Sequence, residues 1–190
     1  TEAGELDSFS QAVAGFFTTA RTNKQDLVFQ DDANITPYVN NGDGTFTAMP
    51  NLSNPPPFSS LYGGTILIAD IDGDGHGDII VPYHNLGSDP SNPQPTIANQ
   101  LYMWSRTGNG TFQAPVITPL SRNYYLAQVV DMNNDGLTDI VLSDGYLVSI
   151  LYNQGNRTFC TVANGAEQHL LAGKGGDSSS ITDVNHDGSL

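Results

Sequence analysis

Carboxylates recur at alternating positions in two nine-residue loops of this chain. The first loop reads Asp-Ile-Asp-Gly-Asp-Gly-His-Gly-Asp from Asp70 to Asp78, and the second reads Asp-Met-Asn-Asn-Asp-Gly-Leu-Thr-Asp from Asp131 to Asp139. A third copy opens at Asp183, and the sequence ends at Leu190, before its ninth position. Calcium takes six to eight oxygen ligands, and the odd-numbered positions of a tight loop can direct their oxygens at one centre. The pattern therefore predicts calcium-binding loops.

The predicted ligands occupy loop positions 1, 3, 5 and 9, together with the backbone carbonyl of position 7. Gly75 and Gly136 supply the dihedral freedom that lets each loop fold back. Asn133 replaces an aspartate and removes one negative charge, so the second site is expected to bind calcium more weakly. Two sites are complete and a third is truncated. The ligand sets are Asp70, Asp72, Asp74, the His76 backbone oxygen and Asp78; Asp131, Asn133, Asp135, the Leu137 backbone oxygen and Asp139; and Asp183, Asn185 and Asp187.

Three other interpretations of these loops compete with calcium binding. An EF-hand or dockerin loop shares the opening pattern but needs an oxygen ligand at position 12 and helical flanks. Position 12 is here Val81 or Leu142, and the flanks are β-branched apolar runs. A plain Asp-Gly turn without metal would leave four acids repelling one another in the first loop, and it would have to arise in two complete copies. Magnesium or manganese could enter an oxygen cage, but a flexible loop with backbone ligands suits calcium better.

The overall charge favours a cation as partner. Twenty acidic residues against six basic ones give a formal charge of −14 at pH 7, which repels nucleic acid and anionic membrane surfaces. No apolar stretch approaches the roughly 18 residues of a transmembrane helix. Sequences of the form Asn-x-Ser/Thr are typical of a secreted glycoprotein, although several would arise by chance in this composition. They begin at Asn34, Asn51, Asn109 and Asn156.

Short strand signals separated by turns recur along the chain, and no window shows a sustained helical period. Each unit is expected to hold about four strands and to include a turn such as Asn41 to Phe46 or Gly155 to Phe159. The loops start at 70, 131 and 183, and a degenerate one is aligned at Thr18, so that Asp26 matches Asp78 and Asp139. In that alignment Thr18, Ala20 and Thr22 replace the acids, which predicts a unit without metal. Repeats of this size predict an all-β propeller of four-stranded antiparallel blades.

The domain boundaries follow from these repeats. A lead-in covers residues 1–11, and the propeller segment 12–190 divides into repeats of about 12–60, 61–122, 123–176 and a truncated 177–190. The second repeat carries a Pro-, Asn- and Ser-rich insertion, predicted to be a surface loop from Tyr83 to Asn99. The chain thus holds about three blades and the start of a fourth. It is either a fragment of a longer protein or a unit that assembles with other copies, and the incomplete fourth loop favours a fragment.

With loops of the form D-x-[DN]-x-D-G-x-x-D between two strands and G-[DN]-[GR]-T-F turns further along, the chain resembles the FG-GAP or VCBS repeat family. The resemblance covers roughly residues 12–190, and the family includes the head of integrin α-subunits. It implies a propeller that is mostly seven-bladed, with calcium between the first two strands of a blade. A seven-bladed ring at this period needs roughly 400 residues. The remaining blades would come from the rest of the polypeptide or from other copies.

Three classes of function are compatible with the sequence. The first is a calcium-stabilised extracellular module that binds a protein or glycan, a cell-adhesion type of role, with Tyr83, Tyr102 and Trp104 as candidate contacts. For Tyr102 and Trp104, packing between blades is the favoured alternative. The second is a building block of a surface fibre or secreted assembly. The third is the non-catalytic propeller of a larger secreted enzyme or toxin. No Ser-His-Asp grouping, phosphate loop or zinc spacing is evident, so no catalysis is expected of this segment, and its histidines are expected to be solvated surface residues.

Overall fold

A computed structural model describes residues 11–17, 24–31, 34–52, 61–85, 99–160 and 168–171, with the backbone alone for 61–63, 84–85 and 168–171. The described residues form three antiparallel sheets and contain no helix. None of these residues belongs to a helix with the length and apolarity of a membrane span. The all-β class and the predicted four-stranded antiparallel sheets are confirmed.

The first sheet has four strands in the order β1-β2-β3-β4. Its strands are β1 (Gln11–Gly15), β2 (Asp26–Gln30), β3 (Ile35–Asn40) and β4 (Phe46–Ala48). Residues of β2 alternate between buried and half-buried, as expected when the two faces of a strand meet different surroundings. The turn between β3 and β4 uses Gly42 and Gly44, both at positive φ, and this is a conformation that glycine adopts at little cost.

The second sheet has five strands, because a short strand precedes the predicted four. Its strands are β5 (Leu61–Gly63), β6 (Leu67–Ala69), β7 (Asp78–Asn85), β8 (Gln100–Trp104) and β9 (Val116–Pro119). Both β5 and β6 pair with β7, which is eight residues long. The apolar run Ile79 to Val81 is fully buried, since this sheet lies between the other two.

The third sheet has the order β10-β11-β12-β13. Its strands are β10 (Leu126–Val130), β11 (Asp139–Ser143), β12 (Leu147–Leu151) and β13 (Gln168–Leu171). All five residues of β11 are buried, including Asp139 at its start.

Two apolar clusters join the three sheets in series. In the first cluster Val28 and Ile35 of the first sheet pack with Ile79, Val81 and Trp104 of the second. The side of a sheet that faces the next sheet along the chain is called its front face, and the opposite side its back face. Burying one such aliphatic side chain contributes about 1.5–3 kcal/mol, so these contacts are the main source of cohesion between the sheets.

The second cluster repeats this arrangement one sheet further along. Ile80 and Met103 on the front face of the second sheet meet Ile140, Leu142 and Leu151 on the back face of the third. Successive residues of β7 therefore serve different interfaces. Ile79 and Val81 pack against the first sheet, and Ile80 packs against the third. This division explains why β7 is continuously apolar.

The structure corrects the expectation that Tyr83 is an exposed contact residue, and it confirms that Tyr102 and Trp104 pack between sheets. Tyr83 and Trp104 are each 1% exposed and Tyr102 is 6% exposed, and all three belong to the cluster between the first two sheets. Tyr83 is buried because β7 continues to Asn85, so this residue belongs to a strand and not to the insertion. Residues 86–98 lie outside the described residues, as do residues 1–10.

Candidate functional site

The first carboxylate loop joins β6 to β7 and folds around the side chain of Asp70. Its Oδ1 accepts the backbone N–H of Gly73 at 2.8 Å, and its Oδ2 accepts that of Gly75 at 2.9 Å. Both glycines have positive φ, 77° and 85° respectively, which a side chain would disfavour. The glycines thus allow the chain to wrap around the first acid of the loop.

Three acids of this loop converge. Asp70, Asp72 and Asp78 can each place one carboxylate oxygen so that all three atoms lie within 4.8 Å of one another, the only such group of His, Cys, Asp or Glu among the described residues. Asp74, which the sequence also suggested as a ligand, is not in the group, and its Oδ1 accepts the N–H of His76 at 2.8 Å. Three convergent carboxylates form an all-oxygen donor set that fits a hard divalent cation.

The electrostatics of Asp78 reflect both its burial and this crowding. Removal from water raises the pKa of the Asp78 carboxyl from 3.8 to about 6, while its hydrogen bond from Ile71 opposes the rise. The negative charges of Asp72 and Asp74 also raise this pKa. A cation among these carboxylates would relieve their mutual repulsion, because it would favour the charged form of each.

The second loop satisfies its polar groups differently. Asp131 accepts N–H groups from Asp135 at 3.2 Å and Gly136 at 2.8 Å, which repeats the wrapping seen at Asp70. Asn133, however, donates its side-chain Nδ2–H to Asp135 Oδ2 at 2.9 Å. An amide donor therefore neutralises part of the repulsion that a cation would otherwise relieve. This contact supplies a structural reason to expect weaker cation binding in the second loop, a prediction that the structure leaves untested.

The last aspartate of each loop has a role that the sequence did not reveal. In all three sheets this aspartate is 0% exposed and accepts two backbone N–H groups, one from the second loop residue and one from a residue that ends the third strand or lies two places beyond it. The distances lie between 2.8 and 3.2 Å. The acceptors are Asp26, Asp78 and Asp139, and their donors are Phe17 and Asn40, Ile71 and Arg106, and Met132 and Asn153. We call each of these aspartates a staple, because it joins the first hairpin of a sheet to its third strand.

The first loop of the chain is longer than the sequence alignment assumed. Gly15 pairs with Asp26 as Ala69 pairs with Asp78, so the loop begins at Phe16 and not at Thr18. Phe17, not residue 19, donates to the staple Asp26. The match of Asp26 to Asp78 and Asp139 is correct, but two extra residues shift the start of the loop. Thr18, Ala20 and Thr22 lie outside the described residues, and no acid occurs between residues 16 and 25.

A second recurring contact links neighbouring sheets at the loops. Asn153 of the third sheet donates its Nδ2–H to the carbonyl of Ile71 at 2.9 Å, and also to the carbonyl of Thr138 at 3.0 Å. At the equivalent position of the second sheet, Arg106 donates a guanidinium N–H to the carbonyl of Phe17. In both cases the acceptor is the second residue of the preceding loop. We call this contact the latch.

Arg106 also supplies a fixed positive charge near the first two loops. Its guanidinium lies 5.5 Å from the centre of the Phe17 ring. Burial lowers the pKa of Arg106, while the neighbouring charges of Asp26 and Asp74 act in the opposite direction. This arginine was not singled out from the sequence, since a lone basic residue after a strand carries no signal without the fold.

A cleft opens between the first and second sheets, away from these contacts. Its volume is about 340 Å³, and its walls include Met49, Asn51, Trp104, Thr111, Phe112 and Gln113. Trp104 is buried, and its indole N–H has no hydrogen-bond partner among the described residues. The cleft thus combines aromatic walls with amide and hydroxyl groups.

The structure describes only some of the remaining predicted site residues. Asp183, Asn185 and Asp187 lie outside the described residues. His76 is half-buried, and its Nδ1 has no hydrogen-bond partner in the described part of the chain, which corrects the expectation of a solvated surface histidine. The proposed ligand roles of the His76 and Leu137 carbonyls remain predictions.

Comparisons with known proteins give a family-model match and a low-scoring structural alignment. Residues 21–81 match the FG-GAP-like repeat. No curated protein sequence matches the chain significantly. Among solved structures, an Agrocybe aegerita lectin, described as recognising non-reducing terminal N-acetylglucosamine, aligns with 20% identity and a TM-score of 0.30. That alignment covers 87% of this chain and 53% of the lectin, so the chain spans about half the length of the lectin. The resemblance to the FG-GAP repeat family is confirmed by the match, and the chain carries an FG-GAP-like repeat at residues 21–81.

Proposed function

We propose that this chain is part of a calcium-stabilised extracellular β-propeller that recognises glycans. The observation that carries the recognition role is the cleft between the first two sheets. The three sheets stacked front to back are blades in this proposal, and seven such blades complete the ring. The carboxylate loops serve structure, and no catalytic role is assigned to the segment.

The chemistry of the cleft suits a saccharide better than a charged or purely apolar ligand. A sugar presents an apolar C–H face and a rim of hydroxyl groups. Phe112 supplies aromatic surface, the buried Trp104 lies beneath the wall of the cleft, and Asn51, Thr111 and Gln113 supply neutral donors and acceptors. A volume of about 340 Å³ lies at the lower end of the range of small-molecule sites.

The single tryptophan of the chain offers a direct assay of glycan binding. We expect a saturable change in Trp104 fluorescence when the calcium-loaded protein is titrated with oligosaccharides selected on a glycan array. Gln113→Ala removes an exposed amide from the cleft, together with the hydrogen bond that Arg157 donates to its Oε1 at 2.6 Å, and is expected to weaken binding severalfold. Gln154→Ala is the matched control, because Gln154 is an exposed glutamine in a turn of the third sheet outside the cleft.

Two results would contradict recognition at this cleft. One is a lack of retention across the array together with an unchanged fluorescence spectrum. The other is equal loss of binding in Gln113→Ala and Gln154→Ala, which would place the glycan elsewhere on the protein.

The cation is tested separately, by calorimetric titration of the chelator-treated protein with calcium. Asp70, Asp72 and Asp78 are the residues of the first loop that would hold the ion, which would supply charge neutralisation there. Asp72→Asn is expected to remove the tightest binding event, because it deletes one of three grouped carboxylates. Asp43→Asn makes the same chemical change in an exposed turn and should leave the titration unaltered. An unchanged isotherm in Asp72→Asn would contradict the assignment.

A further inference from the structure

In each sheet a short turn follows the third strand and is closed by a backbone hydrogen bond to a threonine carbonyl. In the second sheet Asn109 Oδ1 accepts the backbone N–H of Thr111 at 3.1 Å and its hydroxyl at 2.8 Å, and the hydroxyl of Thr107 donates to the same oxygen. In the first sheet Asp43 Oδ1 accepts the backbone N–H and the hydroxyl of Thr45 at 2.9 and 2.6 Å. A carboxylate thus makes the same bonds to the threonine, so this turn does not require the amide nitrogen of Asn109.

The amide nitrogen of Asn109 is left without a structural task. Asn109 is exposed, and its Nδ2 makes no hydrogen bond within the described part of the chain. Because Oδ1 is held by the donors of the turn, Nδ2 of the same planar amide is directed away from them. Asn109, Gly110 and Thr111 also form an acceptor sequence for N-linked glycosylation. The turn therefore presents the one atom to which such a glycan is attached.

The other three sequences of this form are placed differently. Asn34 is half-buried. Asn51 is exposed, and its Oδ1 accepts the hydroxyl of Thr36 at 2.9 Å. Asn156 is exposed in the turn of the third sheet, and it does not line the cleft between the first two sheets. Asn156 thus offers a similar acceptor at a position where an attached glycan has a different neighbourhood.

Asn109 stands at the edge of the cleft that is proposed to hold a saccharide. The next two residues, Gly110 and Thr111, line this cleft, and Asn51 lines it from the first sheet. A glycan attached to Asn109 therefore begins beside an opening whose walls carry the aromatic ring of Phe112 and neutral amide and hydroxyl groups. The same groups that suit an external saccharide suit one that the chain carries itself.

We propose that Asn109 carries an N-linked oligosaccharide, which covers the cleft and competes with external glycans for it. The inference rests on the proposed function, because attachment requires secretion and competition requires a saccharide-binding cleft. The donor is an oligosaccharide linked to a lipid diphosphate. A bond forms between Nδ2 and the anomeric carbon, and the bond from this carbon to the diphosphate oxygen breaks. A base of the transferase takes the Nδ2 proton, and the lipid diphosphate leaves.

Attachment is tested by mass spectrometry of peptides from the full chain, secreted by a eukaryotic host. Cleavage after Arg106 and Arg122 gives a peptide in which Asn109 is the only acceptor of this form. We expect this peptide to carry hexose and N-acetylhexosamine, both removed by a peptide N-glycosidase. Asn109→Asp abolishes the acceptor and keeps the bonds of the turn, as Asp43 does in the first sheet. An unmodified Asn109 in the secreted wild-type chain overturns the proposal.

Covering of the cleft is tested by oligosaccharide titration of the secreted, calcium-loaded wild type, Asn109→Asp and Asn156→Asp, followed by Trp104 fluorescence. If the attached chain covers the cleft for about nine-tenths of the time, Asn109→Asp should bind about tenfold more tightly than wild type. Wild-type chain made in bacteria, which lacks the glycan, should match Asn109→Asp. Asn156→Asp is the matched control and should bind as the secreted wild type does.

Equal affinity of the secreted wild type and Asn109→Asp overturns the covering role, as does an equal gain in Asn156→Asp. The two proposals can also fail separately. If Asn109 is modified and neither the secreted nor the bacterial protein binds any oligosaccharide, the proposed recognition at the cleft is contradicted and the attachment is supported. If Asn109 is unmodified and the cleft binds oligosaccharides, recognition is supported and the present proposal is overturned.

Discussion

Asp26→Asn separates the role of a staple from the role of a metal ligand. Asp26 accepts the N–H groups of Phe17 at 3.2 Å and Asn40 at 2.9 Å, and it is 0% exposed. No other acid occurs in its loop, so a cation is not expected there. The substitution keeps the shape of the side chain but replaces one acceptor oxygen with an NH₂ group. One buried N–H then faces a donor.

The expected loss follows from that single unsatisfied group. Leaving a buried donor without an acceptor costs about 1–3 kcal/mol. The neighbouring Arg106 guanidinium also loses a nearby negative charge, since Asp26 contributes to its electrostatic surroundings. We therefore expect Asp26→Asn to lower the free energy of unfolding by about 2–4 kcal/mol in total.

The assay is urea denaturation followed by Trp104 fluorescence, with saturating calcium and again with a chelator. Trp104 is 1% exposed in the cluster joining the first two sheets, so its signal reports on this region. The loss should be the same in both conditions, whereas Asp43→Asn, in an exposed turn, should change little. A loss below about 0.5 kcal/mol would be the size of an ordinary surface substitution and would refute the staple. A loss that disappears with chelator would refute the separation from metal binding.

Three further predictions concern the loops and their neighbours. Gly77→Ala should destabilise the fold by about 1–3 kcal/mol in urea denaturation, because a Cβ would lie 2.2 Å from the Phe16 carbonyl oxygen; Gly108→Ala meets nothing closer than 3.8 Å and should be nearly neutral, and equal effects would contradict this account. Asn153→Ala should lower the free energy of unfolding by about 1–3 kcal/mol, since the carbonyls of Ile71 and Thr138 lose their amide donor. A variant as stable as wild type would show that the latch does not contribute to stability. In chelator, the contribution of Asp78 to stability should fall as pH rises from about 4 to about 6, because its folded pKa is raised; with calcium, stabilisation should instead weaken as pH falls below about 6, and thermal melting with and without chelator at several pH values measures both trends.

The sequence predicts the repeating part of this molecule well. Alternating aspartates and Asp-Gly steps mark each first hairpin, and β-branched runs such as Ile79 to Val81 mark the buried strands. These signals are local, since a turn needs glycine at a fixed position and a buried strand needs apolar residues. The packing of Tyr102 and Trp104 between sheets was also the favoured alternative, and their burial confirms it.

The parts that the sequence did not predict depend on contacts between distant residues. An aspartate at this loop position could serve as a metal ligand or as a staple. Only the positions of Asn40 and Arg106 reveal that Asp26 and Asp78 are staples. The two extra residues of the first loop leave the strand register unchanged, so a count along the sequence cannot detect them. Tyr83 looked exposed because a polar segment follows it, yet the sheet continues past it to Asn85.

Ile71 connects the first carboxylate loop, which belongs to the second sheet, to the third sheet. Its N–H is bound by Asp78 in the second sheet, and its carbonyl is bound by Asn153 of the third. Stiffening the loop around Ile71 should therefore slow amide hydrogen exchange in β11 and β12, which contribute no acid to that loop. The second and third sheets would then open together and not one at a time, so that a change at one loop would alter hydrogen exchange in both.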